Sequence, residues 1–429
     1  MRNVYLSFLG LGNINPETGP IGYRPATYEL AGRRSKETPF VQIAEMEILG
    51  GANFDLVLMA ATRKSHEAHS AILTDGMSAY GAAPEYLILE EDFSPEGQWK
   101  WFETILGIIE HGDRLTLDLT HGYRAVPIVF STALNFLQKA RNIQIEAVYY
   151  GAFDSNRKLS PIVNMKDFYV INEWADAVSR LVEEADARKL AEVAAKTTDF
   201  QAGELNDPEI ISALDDLTNT VRNVDVNNVG RKAHTAIELI QAEKEKASET
   251  GRVLLDLVFD KFVSLCTETA PSGQYNKAYF ELQIEIARLL LEHRLFMQAY
   301  TVMREFIASL VMVHFERDGM SNKKRKKRRP TYGEIFIKFF EFPEEEWKFD
   351  GRKKDRDRIF PFYEELRANG VEAILRSFSK ELTTYRNGFD HAWTAKAGAA
   401  TDIPEQGRIF FDKLNRVLEK MTQSGTWIA

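Results

Sequence analysis

The chain of 429 residues is too long for one ordinary hydrophobic core, which predicts two or three domains. Its 44% hydrophobic and 27% charged residues are typical of a soluble globular protein, and a formal charge of -9 argues against a protein that coats nucleic acid over its whole surface. Apolar runs fall short of the roughly 18 residues of a membrane-spanning helix, and the N-terminus lacks a signal-peptide cleavage pattern. We therefore expect a cytoplasmic protein that makes no membrane contact.

The first 170 residues alternate strand and helix. Strands are predicted at 4–9, 54–60, 85–89, 114–119 and 143–150, and helices at 40–49, 99–109 and 127–139, with a possible hairpin in the loop 20–36. Thr38 and Pro39 are typical of an N-cap and a first helical position. Short continuous apolar strands indicate a parallel sheet covered by helices on both faces. The prediction for residues 1–172 is a doubly wound, Rossmann-like α/β domain.

From Glu173 onward, strand-like segments nearly vanish and long amphipathic helical patterns follow. Residues 173–251 are interpreted as helical connectors and 252–429 as an all-α C-terminal domain. Helices are predicted at 172–195, from 208, and at 253–266, 277–291, 297–315, 371–386 and 408–421, with breaks at 248–252, 323–329 and 395–407. The single cysteine, Cys266, lies in an apolar helical stretch, which predicts a core position and excludes disulfide frameworks and cysteine-based zinc sites.

Three polar segments follow predicted strands of the first domain: GLGN at 10–13, TRKS at 62–65 and DLTHG at 118–122. In an open parallel sheet, ligands bind beyond the carboxyl ends of the strands. Glycines let a backbone approach a phosphate closely, and Thr, Ser, His and Arg donate to phosphate oxygens. The segments therefore predict a polyanion or nucleotide site. An NAD site is disfavoured because the third glycine and the downstream acid of its fingerprint are missing.

Other interpretations of this region remain open. His121 alone is more typical of a hydrogen-bonded structural histidine, and Asp118 of a residue that satisfies loop amides. His111 and Asp113 stand in EHGDR, which is typical of a turn, so no metal or other cofactor is predicted.

One segment contradicts the acidic average, since seven basic residues follow one another without interruption: Lys323, Lys324, Arg325, Lys326, Lys327, Arg328 and Arg329. Such a run is typical of a solvated loop, of a localisation signal or of a phosphate-binding patch.

The stretch LTTYRNGFDHAW contains Arg386 and His391 in R-x-x-x-x-H spacing, with Asn387 after the arginine. The spacing alone is common by chance. Its chemistry suits RNA cleavage by the 2'-hydroxyl group, because histidine can transfer protons near neutral pH and arginine can stabilise the negative charge on phosphorus.

Together, SFLGLGN, ATRKSHEAH and DLTHG followed by YRAVP resemble the DxTHG-motif family of CRISPR-associated proteins. That resemblance implies an N-terminal CARF domain, a sensor of cyclic oligoadenylates that binds one ligand across the two-fold axis of a homodimer. The residues that it carries over are Leu9, Gly10, Leu11, Gly12, Asn13, Thr62, Arg63, Thr120, His121, Gly122 and Arg124.

In this context the helical C-terminal region resembles a HEPN domain, whose signature is R-x-x-x-x-H. The resemblance implies a metal-independent endoribonuclease of type III CRISPR systems, with Arg386, His391 and Asn387 in a composite site of a homodimer or higher oligomer. The family does not require a basic run, but the place of this run within the region favours single-stranded RNA as its ligand. Arg304 and Glu305 either support this motif or form a solvated pair, whereas His293 and His314 are more typical of structural residues.

Three functions stay open. The first is an endoribonuclease activated by cyclic oligoadenylate, with the tetra-adenylate as the expected ring. The second is a sensor whose helical half only dimerises or recruits partners, with the R-x-x-x-x-H a coincidence. The third, which can accompany the first, is slow cleavage of the activator assisted by Thr120 or His121.

Overall fold

The computed structural model describes residues 1–15, 19–92, 94–121, 126–154, 158–196, 203–266, 275–317, 321–349, 351–394 and 402–427. Two compact units divide the chain, Met1–Asn172 and Glu173–Ala429. Among the described helices, none has both the length and the apolar character that crossing a bilayer requires.

The first unit is built around a mixed sheet. Its described strands are β1 (Asn3–Leu9), β2 (Asn13–Asn15), β3 (Gly19–Gly22), β4 (Thr27–Leu30), β5 (Arg33–Arg34), β6 (Leu56–Thr62), β7 (Pro84–Leu89), β8 (Arg114–Asp118), β9 (Gln144–Gly151) and β10 (Leu159–Asn164). Eight of these described strands form one sheet in the order β5-β4-β10-β9-β8-β1-β6-β7, and β2 pairs with β3 separately. The central strands β9, β8, β1, β6 and β7 are parallel, whereas β10 runs antiparallel to β9.

The strand order reverses between β1 and β8. Strand β1 pairs with β6 on one side, where Leu9 lies opposite Ala61, and with β8 on the other, where Leu6 lies opposite Leu117. Loops that leave two such neighbouring parallel strands diverge, and this leaves a crevice at the carboxyl edge of the sheet. The segments after β1 and β8, which contain the predicted ligand residues, border that crevice.

Four helices cover the two faces of this sheet: α1 (Val41–Leu49), α2 (Arg63–Ser78), α3 (Pro95–Ile108) and α4 (Val126–Arg141). Successive side chains of a strand point to opposite faces, so Leu6 and Phe8 join a core that contains Trp101 of α3. Tyr5 packs on the other face with Met46 of α1 and with α2. The first unit is therefore an α/β layer structure, as expected from the short apolar strands.

The expected N-cap at Thr38 is wrong. Helix α1 begins after Phe40, which makes no side-chain cap. Thr38 instead forms a β-bridge with Ala26, in which each backbone N–H donates to the other residue's carbonyl at 3.0 Å. Pairing with Ala26 therefore places Thr38 in a β-bridge, although the local pattern assigned it to the start of the helix.

The second unit is helical. The remaining described helices are α5 (Lys166–Glu184), α6 (Arg188–Lys196), α7 (Pro208–Arg222), α8 (Val226–Lys244), α9 (Glu249–Phe262), α10 (Lys277–Glu292), α11 (Phe296–Arg317), α12 (Asn322–Glu341), α13 (Lys353–Ala368), α14 (Val371–Arg376), α15 (Ser379–Asp390) and α16 (Ile403–Gln423). Helix α11 is buried along most of its length and packs against α10, α12, α15 and α16. Residues 173–251, interpreted as connectors, belong to this same unit.

Several predicted helix boundaries are wrong. The pattern at 172–195 contains two helices, separated at Ala185 with φ +48°, and the pattern at 371–386 contains α14 and α15. The expected break at 248–252 is the start of α9, where Ser248 accepts a hydrogen bond from the backbone N–H of Gly251. Helix α7 begins at residue 208 as predicted, and Asp207 caps it, since its side chain accepts from the N–H of Glu209.

Candidate functional site

The loop after β1 is held against the β2–β3 hairpin by two glycines. Gly12 has φ +69° and bridges Gly22, and a Cβ atom on Gly12 would lie 2.6 Å from the carbonyl of Gly22. Glycine is therefore required for this close approach. The side chain of Leu9 lies in the core, so only its backbone remains for a ligand.

Tyr23, which sequence reasoning missed, covers this loop. Its ring stacks on the imidazole of His121, with 3.9 Å between ring centroids and 30° between planes. Burial raises the pKa of Tyr23 to about 12, although backbone N–H groups of Gly12 and Gly10 hydrogen-bond the phenol oxygen and act in the opposite direction. Tyr23 thus lies against the predicted ligand loop and against the imidazole of His121.

His121 lies at the carboxyl edge, three residues after the last residue of β8. Its Nε2 atom is enclosed and has no hydrogen-bond partner among the described residues. Burial lowers the pKa of His121 to about 4, so the imidazole is neutral at neutral pH.

Asp118 and Thr120 form a buried network beneath this edge. One carboxylate oxygen of Asp118 accepts from the N–H of Thr120 at 2.9 Å and from its hydroxyl, and the other accepts from the hydroxyl of Ser7 at 2.6 Å. The Thr120 hydroxyl in turn accepts from the N–H of Gly151 at 2.7 Å. Asp118 therefore satisfies loop amides as interpreted, and the hydroxyl of Thr120 is committed to the fold, which argues against a part for Thr120 in activator cleavage.

A second buried carboxyl group, that of Glu45, lies near Asp118. Its Oε2 accepts from the hydroxyl of Tyr5 at 2.6 Å. Burial and the negative charge of Asp118 raise the pKa of Glu45 well above its ordinary value. Burial raises the pKa of Asp118 as well, although its hydrogen bonds with Ser7 and Thr120 act in the opposite direction.

The TRKS segment is the start of a helix and not a loop. Thr62 is the N-cap of α2, and its side chain and that of Ser65 each accept from the other residue's backbone N–H. Thr62 is thus buried and used in capping, while Arg63 is exposed in the first turn. Asn13 begins β2, and Gly122 and Arg124 lie outside the described residues.

The R-x-x-x-x-H motif occupies the end of α15. Arg386 lies inside the helix, where its Nη1 is 2.5 Å from Oδ2 of Asp390 and donates to Oδ1 of Asn387 at 3.3 Å. His391 is the C-cap, and its exposed imidazole has no hydrogen bond to any residue that the structure describes. The imidazole of His391 is accordingly open to solvent, while the guanidinium of Arg386 is paired with the carboxylate of Asp390.

The indole of Trp393 packs against the end of α15, next to His391. Ala392 and Trp393 adopt positive φ, which folds the indole back onto α15, and the N–H of Trp393 donates to the carbonyl of Gly388 at 2.8 Å. A Cβ atom on Gly388 would lie 2.6 Å from the indole ring, which also contacts the ring of Tyr385. Tyr385 is buried and therefore serves as a packing residue.

Two ion pairs tie α11 to α12 beside this motif. Arg304, which is 9% exposed, donates from both terminal nitrogens to the carboxylate of Glu334 at 3.0 and 2.9 Å. Glu305 lies 2.5 Å from Arg329 of the basic run. Arg304 and Glu305 also lie 3.8 Å apart, but the pair is not a solvated one, because Arg304 is buried and each residue binds a partner on α12. Burial raises the pKa of Glu334, but its hydrogen bond to Arg304 and the charges of Arg304, Arg329 and Arg386 lower it more strongly.

The basic run is the beginning of α12, which corrects its prediction as a loop or break. Lys323, Lys324 and Lys327 are exposed. Arg329 differs, because its guanidinium also donates to Ser309 at 2.9 Å and is largely buried. Within the run, residue 329 is thus structural and the exposed lysines remain candidates for RNA contact.

The sequence also singled out Cys266, His293 and His314. Cys266 is partly exposed, with its Sγ 3.2 Å from Nδ1 of His234, so the prediction of a plain core residue is wrong. His293 contacts the carbonyl of Glu183 at 2.5 Å and His314 stacks on Phe362, which fits structural roles. Among the described residues, no group of three or more His, Cys, Asp or Glu side chains is placed to hold a metal ion.

Comparison with known proteins supports one distant relationship. No family model matches the chain. A similarity of 21% identity over 364 residues, covering 72% of this chain and 53% of the other, links it to CRISPR-associated protein MJ1674 of Methanocaldococcus jannaschii. The chain thus spans about half the length of this curated relative. It is a distant relative of a CRISPR-associated protein.

Proposed function

We propose that the chain is a metal-independent endoribonuclease of CRISPR defence that cyclic oligoadenylate activates. The observation that carries the catalytic half is the end of α15, where an uncommitted, solvent-exposed imidazole follows a guanidinium that can exchange its carboxylate for a phosphate. His391 transfers a proton at the attacking or leaving oxygen of RNA. Arg386 stabilises the charge that develops on phosphorus, and Asn387 orients the phosphate.

The sensing half of the proposal concerns the crevice between β1 and β8. Backbone N–H groups of the glycine loop and the side chain of His121 border it, and this is the position at which open α/β sheets bind nucleotides. We assign the CARF character and the cyclic oligoadenylate to this unit, and the HEPN character to the helical unit. Similarity to a CRISPR-associated protein supports the biological setting.

A single α15 supplies one histidine and one arginine. We infer that two chains combine their motifs and that the activator binds the active arrangement of the dimer more tightly than the idle one. The exposed lysines of α12 hold the RNA backbone without sequence preference.

The test is incubation of the purified chain with labelled single-stranded RNA, with and without cyclic tetra- or hexa-adenylate, in the presence of EDTA. Cleavage that requires an activator and persists in EDTA is expected. Arg386→Ala and His391→Ala are each expected to reduce the rate at least 100-fold while activator binding is kept. Absence of cleavage with every activator would leave the second function, a sensor that dimerises or recruits partners.

A further inference from the structure

We propose that single-stranded RNA binds across two helices, and that Lys354 and Arg358 of α13 continue the cationic face that begins on α12. The inference deepens the proposed function, on which it rests for the identity of the polyanion. It adds a binding surface on a helix outside the basic run.

The first step is a junction between α12 and α13 at the end of α11. Phe315 of α11 is fully buried, and its ring packs against the ring of Tyr332 on α12, with 4.6 Å between centroids. The guanidinium of Arg358 on α13 lies over the same Phe315 ring, 5.3 Å from its centroid. One aromatic side chain therefore brings Tyr332 and Arg358 to the same place.

The α12 side of this junction is cationic. Residues four apart lie on the same face of a helix, so Lys324, Arg328 and Tyr332 follow one another along α12. Lys324 is exposed and Arg328 is partly exposed. The basic turns therefore present two cations on the face that ends at the Phe315–Tyr332 ring pair.

The α13 side is cationic as well. Lys354 and Arg358 are four residues apart, both are exposed, and neither forms an ion pair with any residue that the structure describes. Glu365, farther along the same face, is already bound by Arg317, which donates to both of its carboxylate oxygens at 2.7 and 2.9 Å. The positive charges of Lys354 and Arg358 are therefore available to a ligand.

A single-stranded polyanion suits this arrangement. Like charges one turn apart repel each other, and phosphate groups remove that repulsion on both helices. The Phe315 ring holds the Arg358 guanidinium by its face, which leaves the N–H groups in the guanidinium plane for phosphate oxygens. A flexible single strand, whose phosphates follow a positively charged path, passes from one helix to the other at the ring pair.

Fluorescence anisotropy of a labelled single-stranded 2'-O-methyl RNA, measured over a salt series, tests the proposal. This probe has no 2'-hydroxyl nucleophile, so its binding does not depend on whether the chain cleaves RNA. The variants of the full chain are Lys354→Gln, Arg358→Gln and their combination. The controls are Arg358→Lys, which keeps the charge, and Arg367→Gln, because Arg367 is exposed on the same helix but paired with Glu344. Circular dichroism checks that each variant is folded.

We expect the slope of log affinity against log salt to become shallower by about 0.7 in each single Gln variant of Lys354 and Arg358 and by about 1.4 in their combination, as for one and two phosphate contacts of a single strand. Arg358→Lys and Arg367→Gln should keep the wild-type slope. Wild-type slopes in Lys354→Gln and in the combination overturn the proposal, and so does absence of binding by the wild-type chain. An equal change in Arg367→Gln also overturns it, because net charge alone would then explain the effect.

The same experiment separates this surface from the proposed activity. If the slopes change as expected while the wild-type chain cleaves no RNA with any activator, the ribonuclease activity is wrong and the RNA surface stands. Cleavage by the wild type together with unchanged slopes would keep the ribonuclease and exclude α13 from its RNA-binding surface.

Discussion

Arg386 and Asp390 form an ion pair across one turn of α15, with 2.5 Å between Nη1 and Oδ2. A phosphate that binds Arg386 must replace this carboxylate. The pair is partly exposed, so its contribution to stability is small, about 0.3–0.5 kcal/mol.

We therefore expect Asp390→Asn to raise kcat/KM for RNA about 2- to 10-fold without measurable loss of stability, because the substrate no longer competes with a carboxylate. Steady-state cleavage of labelled RNA at saturating activator measures this. A loss of activity as large as that of Arg386→Ala would mean that Asp390 itself takes part in the chemistry.

Replacing Glu334 tests the ion pair that ties α11 to α12. Glu334→Gln removes the charge that compensates the buried guanidinium of Arg304 and is expected to cost about 2 kcal/mol, less than for a fully buried pair because Glu334 is half exposed. Urea unfolding measures the change, with the exposed Glu345→Gln as control. The double variant Arg304→Met, Glu334→Leu should recover most of the loss, and failure to recover it would place the effect elsewhere.

The Arg304–Glu334 ion pair also predicts that stability depends on pH in the acid range. The pKa of Glu334 is lowered in the folded chain, so its contribution to stability is present above the ordinary pKa of about 4.3 and is lost as pH falls further. The stability difference between wild type and Glu334→Gln should accordingly shrink below pH 4.3. A difference that is constant down to pH 3 would contradict this.

The pKa of His121 predicts that stability also depends on pH in a higher pH range. Its pKa is about 4 in the folded chain and 6.5 ordinarily, so between these values the unfolded chain binds more protons. Stability is therefore full above pH 6.5 and declines as pH falls, by about 2 kcal/mol at pH 5. His121→Asn should remove this part of the decline between pH 7 and pH 5 in urea unfolding of the first unit. Identical slopes in both proteins would show that His121 is accessible to protons.

The beginning of α12 contains both exposed lysines and a largely buried arginine, and replacing each kind separately gives a matched comparison. Changing Lys323, Lys324 and Lys327 to Gln is expected to raise the KM for RNA and to make the plot of log affinity against log salt shallower by about 2, with stability unchanged. Arg329→Gln should instead lower stability and leave the salt slope unchanged. It removes the guanidinium that pairs with Glu305 and donates to Ser309. Equal salt slopes for the lysine variant and the wild type would exclude RNA binding by this surface.

Local pattern predicted the parallel strands, among them β1, β6 and β8, because these are short apolar runs whose burial does not depend on distant detail. It did not predict β10, whose antiparallel pairing with β9 makes the sheet mixed. It also located the polar segments, since their place after those strands decides the edge on which they lie. Tyr23 could not be predicted, because its position depends on a hairpin that folds back over a loop about ten residues earlier. Nothing in GYRP marks a tyrosine that will stack on a histidine almost one hundred residues away.

In the helical unit, R-x-x-x-x-H located the candidate motif, but its surroundings come from tertiary contacts. Glu334 is one charge among several on α12, and only packing against α11 selects it as the partner of Arg304. The basic run was predicted as a break because seven like charges repel one another. The structure continues it into the apolar turns of α12, where the pairing of Arg329 with Glu305 offsets part of that repulsion.

Pro330 lies inside α12, directly after the basic turns. Proline has no backbone N–H, so the carbonyl four residues earlier receives no helical hydrogen bond from it. The first two turns are therefore joined to the apolar part of α12 by one backbone bond fewer, and the Arg329–Glu305 pair adds a contact at that junction. We therefore expect the basic turns to open at a lower free energy than the apolar part of α12, which amide hydrogen exchange would measure.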